Sequence, residues 1–229
     1  MKNTQSVELK HMLDIAEEHT QKFAKGTYIF QEGMDAKSLF VILKGSVQIS
    51  KISSDGKELY LRLCSKNDIC GELTLFTEEP RYLLSALCLE DVEVAVVNKD
   101  KIEREIFTNP EFGYELMKWM SDHFRRTQTK FRDLILHGKK GALYSTLIRL
   151  SNSYGVEMEN GILIDKLITN TELGNFCCIS RESTNKQLNK LRREGIISFY
   201  KGKILIHDLQ FLRNEINCEN CSAIYCNIE

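Results

Sequence analysis

From Phe23 to about Lys99 the apolar residues come in short runs: Thr27 to Phe30, Leu39 to Leu43, Ser46 to Ile52, Leu59 to Cys64, Ala86 to Cys88 and Val92 to Val97. Gly26, Gly33, Gly45, Gly56 and Gly71 recur between them, and Ser54-Asp55-Gly56-Lys57 is a strong hairpin signal. Short strands at this spacing predict a small barrel or jelly roll. After Asn109-Pro110 the period changes. Leu116, Met120, Phe124, Thr127, Phe131 and Leu134 alternate by threes and fours, close to the a and d positions of a coiled coil. The pattern predicts one helix running to about His137, where Gly138 interrupts. Its narrow stripe has no partner elsewhere in the sequence, which predicts a parallel homodimer through these six residues. Met117 and Trp119 are left to cover something within the subunit.

Between Ile168 and Ser198 two helical patterns are joined by a short turn, as in a helix-turn-helix. The Thr169 hydroxyl can accept from the Glu172 amide while the Glu172 carboxylate reaches back, a reciprocal capping box, and Leu173 and Phe176 then face inward. Ser180 is placed to cap a second helix from Arg181 to about Glu194, closed by Gly195. Thr184, Leu188 and Leu191 form the buried stripe of that helix, leaving Arg181, Glu182, Asn185, Lys186 and Asn189 on the other face. Such side chains read base edges: arginine forks onto guanine and a carboxylate accepts from the cytosine amino group. Ser180 and Thr169, at the two helix starts, complete the candidate DNA-contacting set. Lys186, Lys190, Arg192 and Arg193 suit phosphates. Two further runs, Ile196 to Tyr200 and Lys203 to His207, meet at Lys201-Gly202 as a hairpin, the expected wing.

Charge supports a polyanionic partner for this region. The whole chain of 229 residues has a formal net charge of -1, yet Lys139 to Arg213 holds twelve Lys and Arg against seven Asp and Glu. The polar start lacks a signal-peptide core and no run is long enough to span a bilayer, so a cytoplasmic protein without membrane association is expected. In that compartment eight cysteines would not form a disulfide framework. Cys64, Cys70 and Cys88 read as core thiols. Cys218, Cys221 and Cys226 instead crowd the last twelve residues, beyond the folded pattern. Their spacing fits three thiolates on one soft metal centre, either iron–sulfur or zinc. Three cysteines leave one position for another ligand. Asp133 in FRDLILHGKKGALYS, His137 one turn later, and the Cys177-Cys178 pair are the candidates, with Asp133 preferred.

A β-roll, a long helix and a terminal winged helix in this order resemble the CRP/FNR superfamily of transcription regulators, over about residues 20 to 213. Gly71-Glu72-Leu73-Thr74-Leu75-Phe76 followed by Pro80-Arg81 is similar to that family's phosphate-binding cassette, and Ile179-Ser180-Arg181-Glu182-Ser183 to the start of its recognition helix. The resemblance implies a two-fold dimer on inverted repeats, Arg181, Glu182 and Lys186 reading a TGTGA-like half-site, and contact with RNA polymerase. Two departures stand out. Cys178 occupies the turn position where the family has glycine, which forces a positive φ or a shifted turn. Arg81 is followed by Tyr82, Leu83 and Leu84 where a nucleotide pocket has a small hydroxyl residue. Gly71, Glu72, Leu73, Arg81 and Tyr82 are therefore read as a vestigial pocket, with Glu72 and Arg81 paired to pin its loop. The terminal cysteines resemble the Fnr-type anaerobic regulators of the Bacillus group, which implies one [4Fe–4S] cluster per subunit on those residues.

The expected fold is α+β, in four parts: a cyclic-nucleotide-binding-like β-roll over 1–106, a dimerisation helix over 107–138, a winged helix-turn-helix over 139–213 and a cluster-binding tail over 214–229. The expected function is oxygen-responsive, homodimeric transcription regulation of anaerobic respiration and fermentation genes, with double-stranded DNA and RNA polymerase as partners and no enzymatic activity. The alternative is a cyclic-nucleotide-responsive regulator of the same fold without the cluster.

Overall fold

The computed structural model describes residues 12–14 and 19–228; the rest of the expected first domain's opening lies outside them. The chain divides into two compact units. The first holds the described residues up to Gly56 together with Leu61–Ser121, and the second holds Lys57–Tyr60 with Asp122 onward. The long helix is thus shared between the two.

Among the described residues eight strands, the fifth of which begins in the Lys57–Tyr60 stretch, form two four-stranded sheets. One has the order β1 (Thr20–Phe23), β8 (Val92–Asn98), β3 (Ser38–Lys44), β6 (Ile69–Cys70); the other has β2 (Tyr28–Phe30), β7 (Ser85–Cys88), β4 (Val47–Ile52), β5 (Glu58–Cys64). The pairs β1–β8, β8–β3, β3–β6, β2–β7 and β7–β4 are antiparallel. β3 reads SLFVILK with hardly a polar break because both its faces are buried. Phe40 and Ile42 enter one core with Phe30, Val47, Ile49, Tyr82, Val92 and Val94. Leu39 and Val41, pointing the other way, join Ile69, Ala95, Val97, Ile102, Phe112 and Leu116 in a second core. The last three come from helices α1 (Lys99–Thr108) and α2 (Pro110–Tyr154). Asn109 caps α2 by accepting from the Phe112 amide at 3.2 Å, and Pro110 sits where its missing N–H costs nothing.

That packing corrects one expectation. Leu116 is buried in the first unit's core, so it does not belong to an exposed seam, whereas Met117 is 65% exposed and Trp119 packs, half-buried, against that core. Phe124 and Phe131, seven and fourteen residues beyond Met117, are also exposed, as is Ile135.

The second unit is organised on the far end of α2. At Gly138 the backbone takes φ 58°, ψ -157°, a conformation left almost wholly to glycine, and the helix breaks. From Ala142 to Ser151 every residue is buried. The same unit holds an antiparallel sheet of order β11 (Ile197–Tyr200), β12 (Lys203–Ile206), β10 (Gly161–Ile164), β9 (Gly155–Met158), the helices α3 (Asn170–Cys177) and α4 (Arg181–Arg193), and a helix α5 (Leu209–Glu215). Among the described residues no helix is long and apolar enough to cross a membrane.

A Cβ at Gly138 meets nothing within 4 Å, so its glycine is required for backbone conformation alone. Gly138→Ala is expected to lower the unfolding free energy by about 1–3 kcal/mol in urea titrations; an unchanged midpoint and slope would mean the break tolerates any residue.

Candidate cysteine site and nucleic-acid interface

In an unbroken helix Asp133 and Arg149 would lie about 24 Å apart at 1.5 Å per residue. The break at Gly138 brings them into contact. Asp133 is 3% exposed and accepts at Oδ2 from Arg149 Nη2 at 3.1 Å and from the Ser145 hydroxyl. Its Oδ1 accepts from Arg132 Nε at 3.0 Å and Nη2 at 2.8 Å. All the acceptor directions of the carboxylate are therefore in use. Burial alone would lower the Arg132 guanidinium, but its bonds to Asp133 and the nearby Glu219 raise it.

The cysteine tail lies on the same residues. Arg149 Nη1 donates to the Tyr225 carbonyl at 3.1 Å, Asn152 Nδ2 donates to the Cys226 carbonyl, and the Ile228 amide donates to Ser153 Oγ at 3.0 Å. Arg125 lies over the Tyr225 ring at 5.6 Å, and Arg132 pairs with Glu219. Ile228 is buried, which anchors the tail at that residue. Cys218, Cys221 and Cys226 are all half-buried and free. Burial pushes the Cys226 thiol up, Arg149 pulls it down, and Cys218, Cys221 and Asp133 are all near enough to add to the upward push. Thus three tail cysteines and Asp133 occupy one electrostatic neighbourhood containing two guanidinium groups. Among the described residues no three His, Cys, Asp or Glu side chains converge on a point as one metal ion requires. His137 lies in the turn just before the break, and Cys177 is taken up in the core, donating to Thr146 Oγ1 at 3.3 Å.

The helix-turn-helix forms where its caps place it. Thr169 and Glu172 make the reciprocal capping box, and Ser180 Oγ accepts from the Ser183 amide at 3.2 Å. The two helices meet closely at Gly174, where a Cβ would fall 2.7 Å from the Ile179 carbonyl oxygen. Cys178 takes the left-handed conformation itself, at φ 54°, ψ 36°, so the turn keeps its place despite the missing glycine. Thr184, Leu188 and Leu191 are buried. Arg181, Glu182, Asn185 and Lys186 are exposed along one face, with Asn185 Oδ1 accepting from Asn170 at 3.2 Å and Asn189 at 3.3 Å. Lys201 and Gly202 sit exposed at the tip of the β11–β12 hairpin.

Around the phosphate-cassette-like segment the pairing differs from expectation. Glu72 pairs with Arg62 at 3.4 Å, both largely buried, and not with Arg81. Arg81 is exposed and donates to the Gly33 carbonyl at 3.0 Å. Tyr82 stacks on Phe30 with centroids 4.0 Å apart and donates its hydroxyl to the Ser38 carbonyl at 2.7 Å. The cavity bounded by Arg62, Gly71, Glu72, Leu73, Tyr82 and Leu84 measures about 20 Å³, room for about one water. Cys64, Cys70 and Cys88 are buried, with burial pushing the Cys64 thiol up to about 12.

Sequence reasoning passed over Arg132, Ser145, Arg149, Asn152 and Ser153. The signal for Arg149 was present. An arginine four residues from a serine within the apolar run ALYSTLIRL has no solvent on its side of the helix and must find a buried anion.

Residues 20–109 match the model of the cyclic nucleotide-binding domain, and residues 141–215 match the Crp-like helix-turn-helix domain. The chain is 58% identical over 210 residues, 91% of its length and 88% of the relative's, to the anaerobic regulatory protein of Bacillus subtilis. It is 28% identical over 190 residues to the CRP-like cAMP-activated global transcriptional regulator of Mycobacterium tuberculosis, covering 83% and 84% of the two chains. A CooA mutant from Carboxydothermus hydrogenoformans shares the fold, with a TM-score of 0.77 at 18% identity over 94% and 97% of the two chains. The first two of these relatives are regulators. With this degree of identity over nine-tenths of its length, the chain belongs to the CRP/FNR family of DNA-binding transcription regulators.

Proposed function

We propose that the chain is an oxygen-responsive regulator of anaerobic respiration and fermentation genes. In this reading it binds inverted TGTGA-like repeats as a homodimer and recruits RNA polymerase. The observation that carries it is the fastening of the tail backbone at Tyr225 and Cys226 to Arg149 and Asn152, with Arg149 also bonded to Asp133, and the likeness to the anaerobic regulatory protein of Bacillus subtilis supports it.

The residues suit a [4Fe–4S] group, one per subunit. Three thiols and one carboxylate supply a ligand for each of four irons, spread over a body wider than one ion, and a half-buried site limits solvent access. Four anionic ligands outweigh the charge of an iron–sulfur core, and the two guanidinium groups supply compensating positive charge. Asp133 would exchange one of its present donors; Arg132, at 27% exposure the outer of the two arginines, is the one nearer solvent. Bound there, such a group supplies the sensitivity to oxygen. The tail residues do the rest: they fasten the segment after α5 to the face of α2 that carries Asp133 and Arg149.

Tyr82 opposes the cyclic-nucleotide reading. Its ring and hydroxyl are committed to Phe30 and Ser38, and the enclosed space beside them has room for about one water. Gly71, Glu72, Leu73 and Arg81 are on this account a structural remnant. The exposed stripe of Met117, Phe124, Phe131 and Ile135, together with Met120, Thr127 and Leu134, is the proposed dimer seam.

Asp133→Ala, with the isosteric Asp133→Asn beside it, is expected to lower iron and sulfide content after anaerobic reconstitution and to weaken operator binding in parallel. A full complement of iron with normal operator affinity in both variants would sink the assignment. At the DNA face, Arg181→Ala should cost about 1–3 kcal/mol of operator affinity and relax discrimination at one base pair. Equal loss on operator and random DNA would reassign Arg181 to phosphate contact.

A further inference from the structure

Arg149 is bonded on three sides at once. Nη2 reaches Asp133 Oδ2, Nε donates to Ser145 Oγ at 3.2 Å, and Nη1 donates to the Tyr225 carbonyl one residue before Cys226. Its side chain is 3% exposed. A planar fork with five donors can hold a carboxylate, a hydroxyl and a carbonyl in fixed relation, which an ammonium group cannot do. Arg132 reaches Asp133 as well, but it is 27% exposed and its partners on the tail are side chains, those of Glu219 and Cys221. We infer that Arg149 is the positioning residue of the cysteine site, holding the Cys226 end of the tail in register with Asp133 before anything is bound there. The inference rests on the cluster reading above for its function, though its geometry does not depend on it.

Two neighbours strengthen the point. Asn152, less than one turn beyond Arg149, takes the Cys226 carbonyl, and Ser153 takes the Ile228 amide. Both these bonds go to tail backbone, so one helical turn of α2 sets the path of residues 225–228 whatever the cysteine side chains do.

The test uses the full-length protein in its iron-free, reduced form, with iodoacetamide as probe and peptide mass spectrometry as readout. In the wild type Cys226 should react more slowly than the exposed Cys178. In Arg149→Gln it should react at least tenfold faster, with the circular dichroism of the wild type retained. Removing a positive charge beside a thiol would by itself slow alkylation, so acceleration reports release of the tail. Arg149→Lys should give an intermediate rate, and Asn152→Ala, an exposed position, a smaller increase. The same variants, reconstituted anaerobically and desalted, should retain less iron in the order Asn152→Ala, Arg149→Lys, Arg149→Gln.

Folded Arg149→Gln with a wild-type Cys226 rate overturns the inference. Should that variant not fold, wild-type rates in both Arg149→Lys and Asn152→Ala overturn it equally. A wild-type protein that never takes up iron counts against the cluster reading, while the alkylation rates still decide the role of Arg149.

Discussion

A carboxylate buried against two arginines organises the second unit. Taking Asp133 out of water is costly, and only close pairing with full hydrogen bonding compensates. Arg149 and Ser145 provide that pairing from a segment that an unbroken helix would carry far away. The Gly138 conformation is therefore a condition of the site. Removing one member of such a pair while leaving the other buried costs about 3–5 kcal/mol, so the network binds the two halves of α2 tightly. The tail then uses what remains of the same groups: the third donor of Arg149, and Asn152 and Ser153 on the following turn.

The two units spend their polar groups differently. In the sheet unit Glu72 and Arg62 pair with each other, and Tyr82 is stacked and hydrogen-bonded. In the second unit buried polar groups converge under a segment carrying three free thiols. A family built around a nucleotide pocket can thus keep the sheet as scaffold while its responsive chemistry sits on the tail. On the account proposed here, the signal enters next to the DNA-binding helices through the unit that carries them.

The readable parts of the chain were those set by local rules. Capping at Thr169 and Ser180, the stripe of Thr184, Leu188 and Leu191, the Lys201-Gly202 turn and the break at Gly138 each depend on a few neighbouring residues, and each formed where expected. Long-range choices were not readable. Leu116 and Met117 have the same apolar character, and only the presence of Ile69 and Val97 beneath one of them decides which is buried. The Glu72 partner could not be chosen from sequence because Arg62 lies on β5, apart from the segment that carries Glu72. The short strands β1 and β6 and the buried segment after Gly138 carry too few alternating positions to signal themselves. Asp133 was legible as a candidate, while Arg149, which fixes it, was hidden as one charge in an apolar run.

The central claim is that Cys218, Cys221, Cys226 and Asp133 hold an oxygen-labile iron–sulfur group. The most direct measurement is the visible absorption spectrum, with iron and sulfide content, of protein purified without oxygen and then exposed to air. The account predicts a broad brown band that bleaches in air, with iron and sulfide in equal amounts. Colourless protein containing zinc or no metal, even after anaerobic reconstitution, would contradict it.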